Sequence, residues 1–390
     1  MRYDVVISGA GPSGSHCAEV IAKAGYNVAL LEKNINWRKP CGGAVHSSVV
    51  DLYPELKKLE KTKIRGVVMH SADFHSLEFK GSSEEYSIIM DRLDLDNLMR
   101  NSAVDAGVHL FDNNVSFDFI TKGLQKTGVK TQSPMGIKEY KANIIIIADG
   151  MSSKLALRSG LRSKWKINEL AIGKCSILEG RTHLDEEYVY VYFQPFKGYG
   201  WIFPFDKTRF NVGIFTFGDD NINFNINELY QDFLNNPNIK KYIPESNYKK
   251  IWSGSYPFPA EGVLEKSLYD DNLMLIGDTA GFISPISGEG IQTAVSSGRV
   301  AAKTAIKALE KEDYSKIILK KFKTDLEIKN IIRNFKLKRS MIEFFFEKEG
   351  QNLNRMLQLT EHDPEIKEQV VNMFAFGDIP SKDLISKIIS

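Results

Sequence analysis

Short blocks of consecutive apolar residues recur along the chain. Each is followed by a glycine-rich turn or by a stretch whose apolar positions repeat at helical spacing. Residues 3–8 and 28–32 are such blocks and read as buried parallel strands. Between them Cys17, Ala18, Ile21 and Ala22 form a helical stripe that ends at Gly25-Tyr26-Asn27. Residues 144–147 and 272–276 repeat the strand pattern and run into the turns Ala148-Asp149-Gly150 and Gly277-Asp278. Beyond the second turn, Ile291, Ala294, Val295, Gly298, Ala301, Ala302, Ala305, Ile306 and Leu309 recur at spacings of 3, 4 and 7, which predicts an amphipathic helix beginning near Gly288. Residues 90–98 read as a further helix start.

The middle of the chain follows a different period. Residues 172–178, 188–193, 201–205 and 211–217 read as strands with turn signals between them, which predicts an antiparallel sheet; residues 65–90 are expected to add strands to it. Tyr199, Trp201 and Phe203 alternate, so a strand points all three rings to one side. Such a face is either ordinary core or the wall of an apolar tunnel. From about Ser315 the pattern becomes helical and basic, with Lys316, Lys320, Lys321, Lys329 and Arg333 among Ile317, Ile318, Leu319 and Phe322. That stretch reads as a helix pair closing over a site or as a surface for anionic lipid, and both readings stay open.

Composition narrows the class. A chain of 390 residues holds two or three lobes and a large core. Its net charge of +2 predicts no nucleic-acid partner. Three scattered cysteines, Cys17, Cys41 and Cys175, do not make a disulfide framework, and a reducing cytoplasm is expected. No apolar run approaches the roughly 18 residues of a membrane span, and the first strand begins with no signal peptide before it. The seven histidines show no metal-ligand spacing, so no metal is expected.

The turns carry the chemistry. Gly9-Ala10-Gly11-Pro12-Ser13-Gly14 lies between a strand and a helix, as a dinucleotide fingerprint requires. Gly9 permits the tight turn, Gly11 the approach of a pyrophosphate, and Gly14 close helix packing. Glu32, 18 residues after Gly14, is placed for the adenosine ribose hydroxyls. Asp278 is a candidate for ribitol hydroxyls, and the N–H groups near Gly290 and Ile291 for pyrophosphate or flavin carbonyls. By itself Arg92 reads equally as a solvated helix charge, and Asp149 as a turn former.

Residues 9–14, the Arg92 helix, Ala148-Asp149-Gly150 and the segment from Gly277-Asp278 to Gly290 together resemble the FAD-dependent group. That group includes para-hydroxybenzoate-type hydroxylases and geranylgeranyl reductases. Lys39-Pro40-Cys41-Gly42-Gly43 is similar to the Cys-Gly-Gly loop of the reductases, and Tyr199-Gly200-Trp201-Ile202-Phe203-Pro204 to their Tyr-x-Trp-x-Phe-Pro motif. Two departures are visible. Ala44 stands where a third Gly is frequent, and Pro195 lies one residue further from Tyr199 than in the family's Pro-x-x-Tyr spacing.

The resemblance implies a Rossmann-like FAD lobe of the glutathione-reductase type over residues 1–64, 91–170 and 260–310, interleaved with an antiparallel-sheet substrate lobe over 65–90 and 171–259, and a helical region over 311–390. It adds Arg92 and Val115 to the FAD contacts, so that motifs and resemblance assemble Gly9, Gly11, Ser13, Gly14, Glu32, Cys41, Gly42, Gly43, Arg92, Val115, Asp278, Gly290 and Ile291 around the cofactor. Tyr199, Trp201 and Phe203 are expected at the substrate, and Cys41 as a flavin-side or proton-relay residue.

The implied reaction is hydrogenation of C=C bonds in a geranylgeranyl chain, with archaeal-type glycerophospholipid as substrate class. NAD(P)H or a ferredoxin-type carrier would supply electrons, because no second nucleotide fingerprint is present. Contact with the cytoplasmic membrane face is a further expectation. The alternatives are a flavin monooxygenase or halogenase, a reductase of quinone or chlorophyll-precursor side chains, and a prenyl-binding carrier without redox chemistry. The intact glycine turn with Glu32 and Asp278 argues against the carrier.

Overall fold

The computed structural model describes residues 2–59, 63–80, 86–218, 225–243, 248–266, 268–376 and 381–389, apart from the side chains of 375 and 376. The chain divides into two compact units, each assembled from three separate segments.

The first unit comprises Met1–Arg38, Arg92–Lys166 and Phe258–Lys336. At its centre the strands Leu273–Leu275, Gly136–Ile147, Arg2–Ser8, Val28–Leu31 and His109–Phe111 lie side by side in that order, all parallel. Runs such as Ile144 to Ile147 are buried at every position, so they carry no polar alternation. The strands Val115–Lys122 and Gln125–Ser133 extend Gly136–Ile147 as an antiparallel meander. The helix Pro12–Lys23 packs against both Arg92–Asp105 and Ile291–Glu310. Gly298 permits the second contact: a Cβ there would stand 2.4 Å from the Ser13 carbonyl oxygen.

The second unit comprises Lys39–Asp91, Ile167–Pro257 and Leu337–Ser390. Its main sheet has seven strands, ordered Tyr248–Pro259, Leu170–Gly180, Arg209–Phe217, Gly198–Pro204, Tyr188–Phe193, Gly66–His70 and Ser76–Lys80. From Leu170–Gly180 onward its pairings are antiparallel except Tyr188–Phe193 with Gly66–His70, which is parallel. One face, with Tyr190, Tyr192, Ile202, Val212 and Ile214, is covered by the helix Ile226–Asn235 through Tyr230 and Phe233. The opposite face carries Phe193, Tyr199, Trp201, Phe203 and Phe215.

The units depart from the expected boundaries in two places. Residues 39–64 fall in the second unit, because Ala44–His46 and Lys63–Ile64 both pair with Ser87–Ile89 in a small antiparallel sheet. The tail splits near residue 336: Lys316–Thr324 packs on Ile291–Glu310 and on the strands Tyr269–Asp270 and Leu273–Leu275 in the first unit, the boundary falls inside the helix Leu326–Phe345, and the helices after that one belong to the second. The helix expected near Gly288 begins at Ile291. Residues ahead of it are held as a loop by Ser284, whose N–H donates to the Glu289 carbonyl at 2.8 Å, and by Gly288 at φ +63°.

Candidate FAD and substrate sites

In the first unit, four turns leave the carboxyl ends of four adjacent parallel strands, where open α/β sheets bind nucleotides. They are Gly277-Asp278, Ala148-Asp149-Gly150, residues 9–14 and Glu32. Gly9 has φ +101°, donates to the Leu31 carbonyl at 2.8 Å, and would place a Cβ 2.4 Å from the Ala148 oxygen. A Cβ on Gly14 would stand 1.9 Å from the Gly9 oxygen. Gly11, by contrast, has open space where its Cβ would be, as a residue facing a ligand requires.

The helices Pro12–Lys23 and Ile291–Glu310 begin at Gly11 and Gly290, neither with a side-chain cap. Uncapped N–H groups at paired helix starts fit an anionic pyrophosphate. Ser13 is buried between the two, its Oγ 2.4 Å from where a Gly277 Cβ would lie.

The Glu32 carboxylate accepts the Ala10 N–H at 2.8 Å and the Asn34 N–H at 3.0 Å, so it braces the glycine turn. A carboxylate has about four acceptor positions, which leaves capacity for ribose hydroxyls. Asn114 N–H donates to the Glu32 carbonyl at 2.8 Å, which sets Val115, 42 % exposed, beside this turn. Arg92 is not a solvated surface charge. It is buried and donates through Nε and Nη2 to Asp96 at 3.1–3.2 Å.

Two contributors had no individual sequence signal. Thr279 Oγ1 accepts the Gly150 N–H at 2.8 Å and ties the Asp149 turn to the Asp278 turn. Arg100 is buried and donates through Nη2 to the Ile35 carbonyl at 2.9 Å, with Nη1 3.5 Å from the Ala10 carbonyl. Its spacing of four and eight from Asp96 and Arg92 is the pattern that would have found it.

Asp149 carries a perturbed carboxyl in this cluster. Its Oδ1 is buried with no hydrogen-bond partner among the described residues, and desolvation lifts the carboxyl from 3.8 to about 6. A raised carboxyl pKa means the folded state binds the proton more tightly than the unfolded chain. Its contribution to stability is therefore present below about 4 and lost as pH rises to about 6. In FAD-depleted protein, the unfolding free energy of wild type minus that of Asp149→Asn is expected to decline through that window and then level off. A difference that climbs with pH would contradict the assignment.

In the second unit the Cys41-Gly42-Gly43 loop lies on the aromatic face. A Cβ on Gly42 would stand 2.7 Å from the Phe203 ring and 3.3 Å from Trp201 Nε1. Gly43 has φ +82°; its carbonyl accepts the Met90 N–H at 2.9 Å and its own N–H meets Cys41 Sγ at 3.4 Å. Tyr199, Trp201 and Phe203 do share one face, with successive centroids 6.1 Å apart, and Tyr199 stands edge-on to Phe215 at 4.6 Å. Trp201 is buried, whereas Tyr199 and Phe203 are half-buried and keep ring surface available. From the same unit's tail, Phe346 and Phe374 reach Phe193 at 6.4 and 6.0 Å, so the aromatic face continues into the C-terminal helices.

Paired uncapped helix starts, a braced glycine turn and an acid at the end of the next strand on one parallel sheet define a dinucleotide-binding unit. The FAD binding domain family model matches residues 2–324, and the chain belongs to that family, with FAD as its cofactor. Within it, the chain belongs to the geranylgeranyl reductase group of FAD-dependent oxidoreductases. It is 31% identical to digeranylgeranylglycerophospholipid reductase 1 of Methanosphaera stadtmanae, over 81% of this chain and 78% of that one. It is 26% identical to digeranylgeranylglycerophospholipid reductase 2 of Methanopyrus kandleri, over 96% of this chain and 95% of that one.

Among solved structures, a geranylgeranyl bacteriochlorophyll reductase-like protein of Thermoplasma acidophilum superposes with TM-score 0.84 at 21% identity, covering 100% of this chain and 98% of that one. A myxobacterial chondrochloren halogenase reaches 0.74 at 16% identity, covering 98% and 99%. The fold alone therefore does not separate reductase from halogenase.

Proposed function

We propose that this protein hydrogenates C=C bonds in the geranylgeranyl chains of archaeal-type glycerophospholipids, as a step in membrane lipid biosynthesis. The observation that carries the reading is the seat of the Cys41-Gly42-Gly43 loop against Trp201 and Phe203, a glycine loop laid on an aromatic wall. The names of the relatives above support the substrate class.

FAD supplies hydride to an alkene carbon when it is bound and reduced. The protein's residues do the rest. The turns at Gly9, Gly14, Glu32, Asp278 and Gly290 hold the dinucleotide, with Arg92 and Val115 at its periphery. Tyr199, Trp201 and Phe203 line the path of the prenyl chain and favour positive charge that develops at a protonating alkene. Chain burial contributes about 0.8 kcal/mol per CH₂, so long chains are preferred. Cys41 is the thiol proposed to relay a proton. Electrons arrive from NAD(P)H or a ferredoxin-type protein that binds transiently.

Anaerobic turnover with digeranylgeranyl glycerophospholipid tests this reading. Products gaining two hydrogens per step without oxygen are expected; a lipid left unchanged without oxygen, with oxygen or halogen incorporated in a parallel aerobic incubation containing halide, or with hydrogen gained only by a prenyl quinone offered in its place, would replace it.

The substrate's location asks for membrane contact. No helix among the described residues is long and apolar enough to cross a bilayer. Peripheral docking on a cytoplasmic face is proposed instead, through Lys316, Lys320, Lys321, Lys329 and Arg333. These are exposed on the first unit around Ile317 and Leu326, which are 77% and 73% exposed. Each such cation contributes on the order of 1 kcal/mol at an anionic surface. Pelleting with anionic liposomes is expected to fall steeply with salt and to be lost in K320E/K329E/R333E; salt-independent pelleting would contradict it.

A further inference from the structure

Asn211 is buried on the aromatic face of the second unit's sheet, and the sequence motifs leave it without a role. Its two polar side-chain atoms are both committed. Oδ1 accepts the Trp201 Nε1–H at 2.9 Å, and Nδ2 donates to the Cys41 carbonyl at 2.9 Å. An indole nitrogen only donates and a carbonyl only accepts. The partners therefore admit one orientation of the amide, and no other side chain of that size satisfies both. The same Cys41 carbonyl receives a second, weaker contact from Cys175 Sγ at 3.8 Å, whose thiol burial pushes up to about 12 and so keeps protonated. Gly213, two residues on, has no Cβ because one would stand 2.2 Å from the Trp201 ring. The indole is thus pressed flat on the strand that carries Asn211.

We infer that Asn211 is a positioning residue that locks the Cys41 loop to the Trp201 wall and so fixes where the Cys41 thiol stands. The inference rests on the functional reading above for its catalytic consequence, but its geometric content does not. Among the described residues the loop is held at both ends. Gly43 is tied to Met90 through backbone, which any sequence can supply, whereas Cys41 is tied through the Asn211 amide. Without that amide the Cys41 carbonyl keeps only the longer Cys175 contact at 3.8 Å, and the Cys41 end can swing about Gly42 and Gly43. A displacement of about 1 Å at a reacting group costs roughly 100-fold in rate.

The test compares FAD-loaded full-length wild type with Asn211→Asp and Trp201→Phe. Asp keeps the acceptor for Trp201 but places a carboxylate oxygen against the Cys41 carbonyl; Phe removes the indole bond and leaves the Cys41 bond. Alkylation of Cys41 by iodoacetamide is followed by peptide mass spectrometry. Cys17, buried in the first unit, serves as the internal control. Asn211→Asp is expected to alkylate Cys41 about 10-fold faster, with kcat down roughly 10- to 100-fold and KM nearly unchanged. Trp201→Phe, which keeps the Cys41 bond but releases the amide's other end, should accelerate alkylation by much less.

If Asn211→Asp does not accumulate as folded protein, Asn211→Ser carries the same reading with a smaller side chain. Wild-type alkylation in the Asn211 variant, or equal acceleration in both variants, overturns the inference. If the wild type fails to reduce any prenyl lipid yet Asn211→Asp still frees Cys41, the functional reading fails and the positioning role stands.

Discussion

Gly14→Ala is expected to yield a folded but colourless protein. The added methyl would stand 1.9 Å from the Gly9 carbonyl oxygen, a backbone atom that cannot rotate away. The start of the helix Pro12–Lys23 must then move off the turn. The Gly9 side is fixed as well, by its N–H bond to Leu31 and by Ala148 above it. The displaced N–H groups no longer converge on a pyrophosphate. Each hydrogen bond to a charged group is worth about 1.5–3 kcal/mol, so loss of two weakens FAD by roughly 100-fold or more. Flavin absorbance per polypeptide and titration of FAD into apoprotein measure it, with circular dichroism reporting the fold. Full occupancy at wild-type affinity would mean that the pyrophosphate does not sit at this turn.

Gly42→Val is expected to produce the complementary phenotype, a yellow protein that does not turn over. Its first side-chain carbon would meet the Phe203 ring at 2.7 Å and Trp201 Nε1 at 3.3 Å, and the branched methyls reach further. Both rings are packed, Trp201 against Gly213 and Phe203 against the cluster of Ile64, Ile89, Ile177 and Phe205. The loop moves rather than the wall, and Cys41 moves with it. A fall of about 100-fold in kcat/KM for the prenyl lipid is expected, with FAD content retained. Turnover within a few-fold of wild type would place the substrate away from this face.

The two variants separate what local sequence reveals from what it hides. The glycine turn, Glu32 and Asp278 were legible because each strand, turn and helix of the nucleotide unit is contiguous and obeys its own period. The aromatic face was legible for the same reason, since Tyr199, Trp201 and Phe203 alternate within one strand. What was hidden depends on pairings across the chain. Arg100 meets Ile35 and Ala10, Thr279 meets Gly150, and Asn211 meets Cys41, all polar side chains whose partners lie far away in sequence. Thr279 and Asn211 leave no periodic trace, and Arg100 leaves only its helical spacing from Arg92 and Asp96. The start of the helix at Ile291 was placed early because Gly288 and Gly290 resemble a helix start in composition, while Gly288 in fact takes the left-handed backbone of a loop. The allocation of residues 39–64 was also out of reach, since it depends on Ser87–Ile89 accepting two partners.

The most direct test of the central claim is a single anaerobic half-reaction. The FAD-loaded protein is reduced with dithionite, freed of excess reductant, and mixed without oxygen with digeranylgeranyl glycerophospholipid while flavin absorbance is followed. The account predicts reoxidation of the flavin by the lipid, with one saturated bond per flavin in the recovered product. A flavin that stays reduced until oxygen is admitted, and then reoxidises with the lipid unchanged, would contradict it.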